Sequence, residues 1–308
     1  MRRLLALLMA SGMLFAACSS DAGGTAGAGS PEPATSPAAS PAASPAGSPA
    51  ASPGAAASLP TEGPTLDAIR SAGKLVCGVK FDVIAFGFRN PTSGDIEGFD
   101  ADLCREIAGA LGVEPEFVEA ISANRIPFLQ EDRVDIIAST MTRNEERLGQ
   151  IDFSKIYYLA GQKILVKSDS PHQTVDDLVA AGVKVCSGQG STSETNLRDR
   201  GVEEANLVLF ATYSEAAQAL LDGRCDAVST DDSILFGLAQ QNEGLEVRGE
   251  AFTEEPLGIG IKKGKEDLVA FINAVLDQMA ANGRWAELYD THIKPYTGEE
   301  APEPPLDM

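Results

Sequence analysis

Hydroxyl, arginine and aspartate side chains follow predicted strands at four points where a helix is expected to begin. The first point is the segment AISANRIPFL, in which Ser122 can cap the helix and Arg125 sits at its third position, and the second carries Thr142 and Arg147 in ASTMTRNEER. The third is the segment CSGQGSTSE, and the fourth is DAVSTDDS, in which the strand ends at Asp231. The free N–H groups at a helix start bind anions, arginine pairs with carboxylates and aspartate pairs with ammonium groups. These junctions therefore predict a site for a zwitterion.

Each junction also has a purely structural interpretation. Thr142 with Glu145, and Ser191 with Glu194, have the spacing of a capping box, which is a common helix start. Arg147 follows two glutamates, as many solvent-exposed arginines do. The letters GQGST lack the third glycine of a dinucleotide fingerprint and the Gly-Lys of a phosphate-binding loop, which argues against a nucleotide ligand. The structural alternative stays open for each junction.

Short β-rich segments alternate with amphipathic helical segments from residue 74 onwards, which is typical of an α/β fold with parallel sheets. The predicted strands are Lys74–Val79, Glu116–Val118, Val134–Ala138, Lys163–Val166, Val183–Cys186, Leu207–Phe210, Asp226–Thr230 and Leu257–Ile261. The predicted helices are Ala101–Leu111, Ile126–Glu131, Val175–Ala181, Ser193–Arg200, Ser214–Leu221, Ser233–Gln241 and Glu266–Asn282. In folds of this class, ligands bind at the carboxyl ends of the strands.

The composition excludes several kinds of partner. The formal net charge of −21 over 308 residues argues against binding of nucleic acid or anionic lipid, although a local pocket can still bind a small anion. The chain has two histidines and no cysteine pair with C-x-x-C spacing, so we expect no metal site and no cofactor.

The first 63 residues predict an export signal and a tether. Arg2 and Arg3 precede an apolar run that is typical of a secretory signal and too short to span a bilayer. The run ends in LFAAC, which resembles the lipidation motif of bacterial lipoproteins with Phe15 in place of the usual leucine. We therefore expect a signal peptide over 1–17, a lipid on Cys18 and an extended Ala/Ser/Pro-rich linker over 18–63. An ordinary signal peptide with a chance cysteine is the alternative.

Six segments of the remaining chain resemble segments of a known family. They are GVKFD, IEGFDADLCREIA, NRIPFLQEDRVDIIASTMTRNEERLGQIDFSKIYY, VCSGQGST, CDAVSTDD and PLGIGIKKG. The family is the amino-acid-binding proteins of ABC importers, which includes binders of glutamine, histidine and glutamate or aspartate. The start of the chain is most similar to its lipid-anchored glutamate-binding members from Gram-positive bacteria.

The resemblance implies a two-lobed α/β fold of the type II periplasmic binding proteins. In this fold each lobe is a parallel-type sheet flanked by helices, two crossing strands join the lobes, and the lobes close on ligand. The implied first lobe is 64–162 with 257–298, and the implied second lobe is 163–256. The hinge is expected near 162–165 and 257–261, and a disordered acidic tail is expected over 299–308.

The resemblance also implies a role for each site residue. Arg147 with Thr140 and Thr142 would hold the ligand α-carboxylate, and Asp231 would hold the α-ammonium. Lys80 and Arg125 would face the side-chain end of the ligand. Backbone N–H groups and hydroxyls complete the implied set, from Ser122, Gly190, Ser191 and Thr192.

Lys80 and Arg125 are cations without a partner once Arg147 and Asp231 are matched to the ligand. Because an unpaired buried cation is costly, we expect a ligand with a second carboxylate, glutamate or aspartate. The expected protein is a monomeric, lipid-tethered, non-catalytic receptor on the outer face of the cytoplasmic membrane that delivers its ligand to an ABC permease. A dehydratase of the same fold and a sensor that feeds a membrane kinase are the alternatives. For Arg125, the alternative is an ion pair with Glu131, Asp132 or Asp135.

Four cysteines follow Cys18, and an even number in an exported protein suggests disulfides. Within the implied lobes we expect the pairs Cys77–Cys104 and Cys186–Cys225, because a bridge between lobes would oppose hinge motion. Buried free thiols are the alternative, since each cysteine lies in or beside an apolar stretch.

Overall fold

The computed structural model describes residues 59–308. The predicted signal peptide over 1–17, the predicted lipid site at Cys18 and most of the linker over 18–63 lie outside the described residues. Within the described part, two five-stranded sheets flanked by helices form two lobes, and a third sheet of three short strands lies near the start. The predicted two-lobed α/β architecture is confirmed. Among residues 59–308, no helix has the length and apolar content needed to cross a bilayer.

The strands of the described part are short, and several span only two to four residues. In chain order they are β1 (Lys74–Val79), β2 (Asp82–Val83), β3 (Gly87–Arg89), β4 (Ile96–Glu97), β5 (Glu114–Glu119), β6 (Ile136–Ile137), β7 (Asp152–Ala160), β8 (Gln162–Lys167), β9 (Val185–Gly188), β10 (Leu207–Phe210), β11 (Ala227–Asp231), β12 (Leu245–Arg248) and β13 (Glu255–Ile261).

Most helices pack on the faces of the two large sheets, and the last two in the chain pack mainly on other helices. They are α1 (Pro64–Ala72), α2 (Phe99–Leu111), α3 (Arg125–Gln130), α4 (Glu145–Leu148), α5 (Val175–Ala181), α6 (Thr192–Asp199), α7 (Tyr213–Leu221), α8 (Asp232–Gln241), α9 (Glu266–Ala281), α10 (Arg284–His292) and α11 (Lys294–Thr297). A short 3₁₀ helix, Glu204–Asn206, precedes β10.

The two large sheets share one pattern. The first has the order β5-β1-β6-β13-β7 and the second the order β10-β9-β11-β8-β12. In each sheet the first three strands are parallel and the last two are antiparallel to their neighbours. The carboxyl ends of the parallel strands therefore lie at one edge of each sheet, and the chain leaves β1, β6, β9 and β11 at that edge.

The chain crosses between the sheets twice. It passes from β7 to β8 at Gly161, and it returns between β12 and β13 through 249–254. We therefore call 64–160 with 255–297 the first lobe, and 162–248 the second lobe. The two predicted hinge segments, 162–165 and 257–261, are therefore not where the chain crosses, because they lie inside β8 and β13 and pair along the second and the first sheet. Gly258 in β13 instead allows close packing, since a Cβ there would lie 3.1 Å from the ring of Phe153.

The acidic tail packs on the protein, so the predicted disorder over 299–308 is not what the structure shows. Leu306 is buried and belongs to the main apolar core. Glu299, Pro302 and Pro305 lie beside Tyr158 and Tyr289 of that core. The tail contains Pro302, Pro304, Pro305 and Leu306 among its acidic residues, and this apolar surface favours packing over solvent exposure.

Each predicted cysteine pair lies within one lobe, but only one of the two pairs forms a disulfide. Cys186 and Cys225 are joined in the second lobe, with their Cα atoms 5.9 Å apart. Cys77 in β1 and Cys104 in α2 are buried free thiols, and burial together with the neighbouring Cys77 raises the pKa of Cys104. Their predicted contact is present, but the predicted disulfide between them is not formed. The packing of α2 on β1 brings the two thiols together without a covalent bond.

Candidate ligand-binding cleft

The predicted site residues come together at the carboxyl edge of both sheets. Lys80 follows β1, Ser122 follows β5 and Asp231 ends β11. Arg125 begins α3 and Arg147 lies in α4. The structure buries all the predicted ligand-binding residues except Gly190, which is exposed, and Thr192, which is half-buried.

Arg125 is a buried cation held by backbone carbonyls. Its Nη1 donates to the carbonyls of Ser139 at 2.8 Å and Thr140 at 2.9 Å, and its Nε donates to the carbonyl of Ser122 at 3.3 Å. In the described chain Arg125 makes no ion pair with Glu131, Asp132 or Asp135, so that alternative is excluded. Its Nη2 has no hydrogen-bond partner among residues 59–308 and stays available to a ligand.

Lys80 lies beside Arg125 at the same end of the cleft. Its Nζ donates to the Ser122 hydroxyl at 3.0 Å and lies 5.3 Å from the ring centre of Tyr213, in the second lobe. Burial, and then the charge of Arg125, lower the pKa of Lys80 to about 8. Burial, and then the charge of Arg147, lower the pKa of Arg125 to about 9. Both side chains are therefore charged at neutral pH and retain unused donors.

Arg147 is the third buried cation, and it lies near enough to Arg125 for its charge to lower the pKa of Arg125. Its Nη1 donates to the Thr142 carbonyl at 2.7 Å, and its pKa is lowered, chiefly by burial. A cavity of about 280 Å³ opens between the lobes beside Arg147 and is lined from the second lobe by Ser191 and Asn196. The buried guanidinium of Arg147 therefore lines this cavity between the lobes and can donate hydrogen bonds there.

Three predicted helix caps have different outcomes. The N-cap of α4 is Asn144, whose side chain accepts from the Arg147 N–H, so the predicted Thr142 cap is wrong. The predicted Ser122 cap is also wrong, because α3 begins after Asn124. The Ser191 hydroxyl does accept from the Glu194 N–H at 3.1 Å, so the third cap is present, but the capping box is not completed because the Glu194 carboxylate accepts from the Gly190 N–H.

The backbone before that third cap is largely paired within its own turn. The Glu194 carboxylate accepts from the Gly190 N–H at 2.6 Å, and the Ser191 N–H donates to the carbonyl of Gly188 at 3.3 Å. The Ser191 hydroxyl also donates to that carbonyl, at 2.7 Å. This turn therefore offers a ligand fewer free N–H groups than the sequence predicts.

Asp231 is a buried carboxylate without a donor. No hydrogen bond to its side chain is present among residues 59–308, although the side chain is only 4% exposed. Its pKa is raised well above the usual value, first by burial and then by the charges of Glu255 and Asp232. A cation bound beside Asp231 would remove this cost, and the α-ammonium of an amino acid is such a cation.

Sequence reasoning missed a second buried carboxylate, Glu255. Its Oε2 accepts from the hydroxyls of Thr142 at 2.7 Å and Thr192 at 2.8 Å. Its Oε1 accepts from the Asn196 amide at 2.7 Å and the Thr253 hydroxyl at 2.8 Å. Because both site hydroxyls give their protons to Glu255, they present lone pairs to a ligand. They therefore suit an ammonium better than a carboxylate, the group to which the resemblance assigned Thr142.

Sequence reasoning also missed Asp100, in the first turn of α2. It is fully buried and accepts from the Thr140 N–H at 2.8 Å and from the Tyr157 hydroxyl at 2.7 Å. Burial raises its pKa to about 6. The available signal was a carboxylate in FDADLC, surrounded by apolar residues at a helix start.

These two carboxylates change the charge balance that the sequence suggested. Three buried cations (Lys80, Arg125 and Arg147) share the cleft region with three buried carboxylates (Asp100, Asp231 and Glu255). The cleft therefore does not hold the two unmatched cations that the sequence predicts. What remains is a separation of charge, with free donors on Lys80 and Arg125 and a free acceptor on Asp231.

The two lobes touch across the cleft. The Asp82 carboxylate, from the first lobe, accepts from the Tyr213 N–H at 2.8 Å at the start of α7. Gly190 has a φ of 74°, and a Cβ there would lie 2.8 Å from the Cα of Ala123. The structure therefore shows a closed arrangement. Among residues 59–308, no cluster of three or more His, Cys, Asp or Glu residues has an arrangement that would hold a metal ion.

A family comparison agrees with this geometry. Residues 75–295 match the model of the bacterial extracellular solute-binding proteins, family 3. The chain belongs to this family. It is similar to the glutamine-binding protein of an ABC transporter from Bacillus subtilis (strain 168), with 44% identity over 241 residues that cover 77% of this chain and 88% of the relative. It is also similar to a glutamate-binding protein of Corynebacterium efficiens, with 36% identity over 237 residues that cover 72% and 79%.

Solved structures of this solute-binding family share the fold. An ancestral arginine-binding protein bound to glutamine superimposes with a TM-score of 0.68 and 36% identity, covering 74% of this chain and 99% of that one. An ancestral amino-acid-binding protein, described as a precursor of cyclohexadienyl dehydratase, gives a TM-score of 0.69 and 36% identity, covering 75% and 100%. The chain is therefore an amino-acid-binding protein of the ABC-transporter type.

Proposed function

We propose that this solute-binding protein is a glutamate receptor of an ABC importer. The observation that supports this choice is the pair of buried cations, Lys80 and Arg125, which meet at Ser122 and have unused donors. In the proposed complex the ligand α-ammonium binds Asp231, and the α-carboxylate binds Arg147. The side-chain carboxylate then binds Lys80 and Arg125, which are charged at neutral pH.

The donor count favours a carboxylate beside Lys80 and Arg125. Lys80 Nζ makes one hydrogen bond, to Ser122, and Arg125 Nη2 makes none within the described chain. A carboxylate accepts at both of its oxygens, whereas an amide has one oxygen and would direct its own N–H groups at two cations. Hydrogen bonds between charged partners are also about twice as strong as neutral ones. Aspartate has the same groups but a shorter reach, so we place it second among acids.

Glutamine is the second candidate ligand, and two observations favour it. The three buried cations already face three buried carboxylates, so a ligand without net charge leaves the cleft balanced. Two relatives with 44% identity to this chain carry glutamine in their names. Glutamate and glutamine differ only in a terminal carboxylate or amide, so the choice between them depends on how the protein distinguishes these two groups.

An enzymatic function has less support in the geometry. Asp100, the buried group with a pKa near neutrality, has both oxygens occupied by Thr140 and Tyr157. Asp231 suits the ligand ammonium. A general acid or base must reach the reacting atoms, so we propose binding without turnover. Tethering by a lipid on Cys18, a monomeric state and a position outside the cytoplasmic membrane, where the protein meets its permease, are part of this proposal.

Calorimetric titration of the ligand-stripped protein with glutamate, aspartate, glutamine and asparagine tests the proposal. We expect glutamate to bind with a dissociation constant of about 1 μM or lower, which corresponds to roughly −8 kcal/mol. The ligand should be recovered chemically unchanged from the complex. Binding of glutamine with no measurable binding of glutamate would establish the second candidate, and a chemically altered product would establish an enzyme.

A further inference from the structure

We propose that Asp100 sets the preference for glutamate over glutamine from behind the cleft, by balancing the charges of Lys80 and Arg125 without touching the ligand. This inference rests on the proposed function, since it concerns the same site. It assigns a specificity-determining role to a residue that the binding geometry alone would leave as a structural group.

Asp100 is connected to the cleft through one strained residue. The Thr140 N–H donates to Asp100 Oδ2 at 2.8 Å, and the Thr140 carbonyl accepts from Arg125 Nη1 at 2.9 Å. Thr140 has a φ of 42°, a left-handed conformation that is unfavourable for a β-branched residue. The bonds on either side of Thr140 hold it there. Asp100 therefore both positions the Arg125 guanidinium and places a negative charge behind it.

The surroundings of Asp100 leave its charge poorly screened. The side chain is fully buried, and its second oxygen accepts from the Tyr157 hydroxyl at 2.7 Å. The charged groups that act on it are Lys80 and Arg125, which favour the carboxylate form. The other titratable groups in its surroundings are Tyr157 and Cys104, and the charge of Asp100 helps to raise the pKa of both. Those two groups stay neutral at physiological pH, so the two cations and Asp100 determine the charge behind the ligand.

The consequence differs between the two candidate ligands. Glutamate brings an additional negative charge to Lys80 and Arg125, where it must share them with Asp100. Glutamine brings no net charge. A proton on Asp100 therefore strengthens glutamate binding and has little effect on glutamine binding. Burial raises the pKa of Asp100 to about 6, and a bound carboxylate nearby raises it further, so glutamate binding should take up protons near neutral pH.

The test compares the wild-type protein with Asp100→Asn and with Asp102→Asn. Asp102 lies two residues along the same helix and is bound to Arg105 and His292, away from the cleft, so it is a matched charge control. Glutamate and glutamine affinities are measured by calorimetry between about pH 7 and about pH 5.5, a range below the pKa of Lys80. Titrations in buffers with different ionisation enthalpies give the number of protons taken up.

In the wild type, the affinity ratio of glutamate to glutamine should rise severalfold as the pH falls through this range, with a more positive proton uptake for glutamate than for glutamine. Proton exchange at Asp231 on binding the α-ammonium is common to both ligands and cancels in this difference. Asp100→Asn should raise the ratio about tenfold at about pH 7 and abolish both the pH dependence of the ratio and the difference in proton uptake. Asp102→Asn should behave as the wild type.

If Asp100→Asn fails to fold, the wild type at about pH 6 still tests the inference. Lys80 is already fully protonated there in the free protein, so a difference in proton uptake between glutamate and glutamine must come from Asp100.

Two outcomes would contradict the inference in distinguishable ways. If the wild type binds both ligands with the same proton uptake, or if Asp100→Asn keeps the wild-type ratio, Asp100 has only a structural role and the proposed function stands. If the wild type binds neither glutamate nor glutamine, the proposed function is wrong and this inference is wrong with it.

Discussion

Gly190 of the second lobe lies directly against the backbone of Ala123 in the first lobe. A Cβ on Gly190 would be 2.8 Å from the Ala123 Cα and 3.1 Å from its nitrogen. Real side chains do not approach a backbone this closely, so only glycine permits the observed closure. The contact joins the turn in the segment CSGQGSTSE, which is one of the predicted site segments, to the segment that carries Ser122 and Arg125.

Gly190→Ala should therefore weaken ligand binding by preventing full closure. We expect a loss of tenfold or more in affinity, about 1.4 kcal/mol, because ligand must favour the closed state to be held by both lobes. Gly182→Ala is the matched control, since Gly182 also has a positive φ, 61°, but has nothing within 4 Å of an added Cβ. Equal losses in both variants would show that backbone strain, not closure, accounts for the effect.

Arg147→Met should abolish detectable amino-acid binding. The side chain is buried, and the loss leaves a ligand carboxylate without its charged donor, at a cost of about 3 kcal/mol or more. Calorimetry with glutamate and glutamine measures the loss, and circular dichroism checks that the variant folds. Retention of wild-type affinity for either ligand would remove Arg147 from the site.

Arg125→Met should reduce glutamate affinity much more than glutamine affinity. The reason is that only glutamate brings a carboxylate to the free Nη2 of Arg125. Parallel titrations of the two ligands give the ratio, and a drop in that ratio of tenfold or more, about 1.4 kcal/mol, is expected. Equal losses for both ligands would mean that Arg125 only positions the carbonyls of Ser139 and Thr140.

Glutamate affinity should fall as the pH rises above about 8. Burial and the charge of Arg125 lower the pKa of Lys80 to about 8, so the free protein loses this cation as the pH rises through that value. The affinity should then decrease by up to about tenfold per pH unit. Lys80→Met should bind glutamate more weakly at neutral pH and lose the fall at about pH 8, keeping only the decrease at about pH 9 that comes from Arg125. An unchanged affinity for the wild type between about pH 7 and about pH 9.5 would place Lys80 outside the site.

Much of the architecture was predictable from local patterns. The observed bounds of β1, β10 and α5 equal the predicted bounds to the residue, because each is a short segment with apolar residues that polar residues or glycine flank. The strand β7 was missed, because it is buried on both faces and polar Ser154 and Lys155 interrupt its apolar residues. No local pattern distinguishes such a strand from a loop.

Only the site residues that follow or end a strand were predictable from the sequence. Lys80, Arg125, Arg147 and Asp231 each follow or end a strand, and the structure brings them to one cleft. Glu255 and Asp100 were missed because their partners are distant in sequence. Thr142 lies 113 residues from Glu255, and Thr140 lies 40 residues from Asp100. Since charge balance in a cleft depends on such pairs, the sequence overestimated the excess of cations.

The most direct test of the account is calorimetric titration of the ligand-stripped protein with glutamate, with the wild type and the Arg147→Met variant side by side. The account predicts saturable binding of one glutamate per wild-type chain, with a dissociation constant of about 1 μM or lower, and no binding to the variant. Absence of saturable binding of glutamate to the wild type, or equal binding to both proteins, would contradict it.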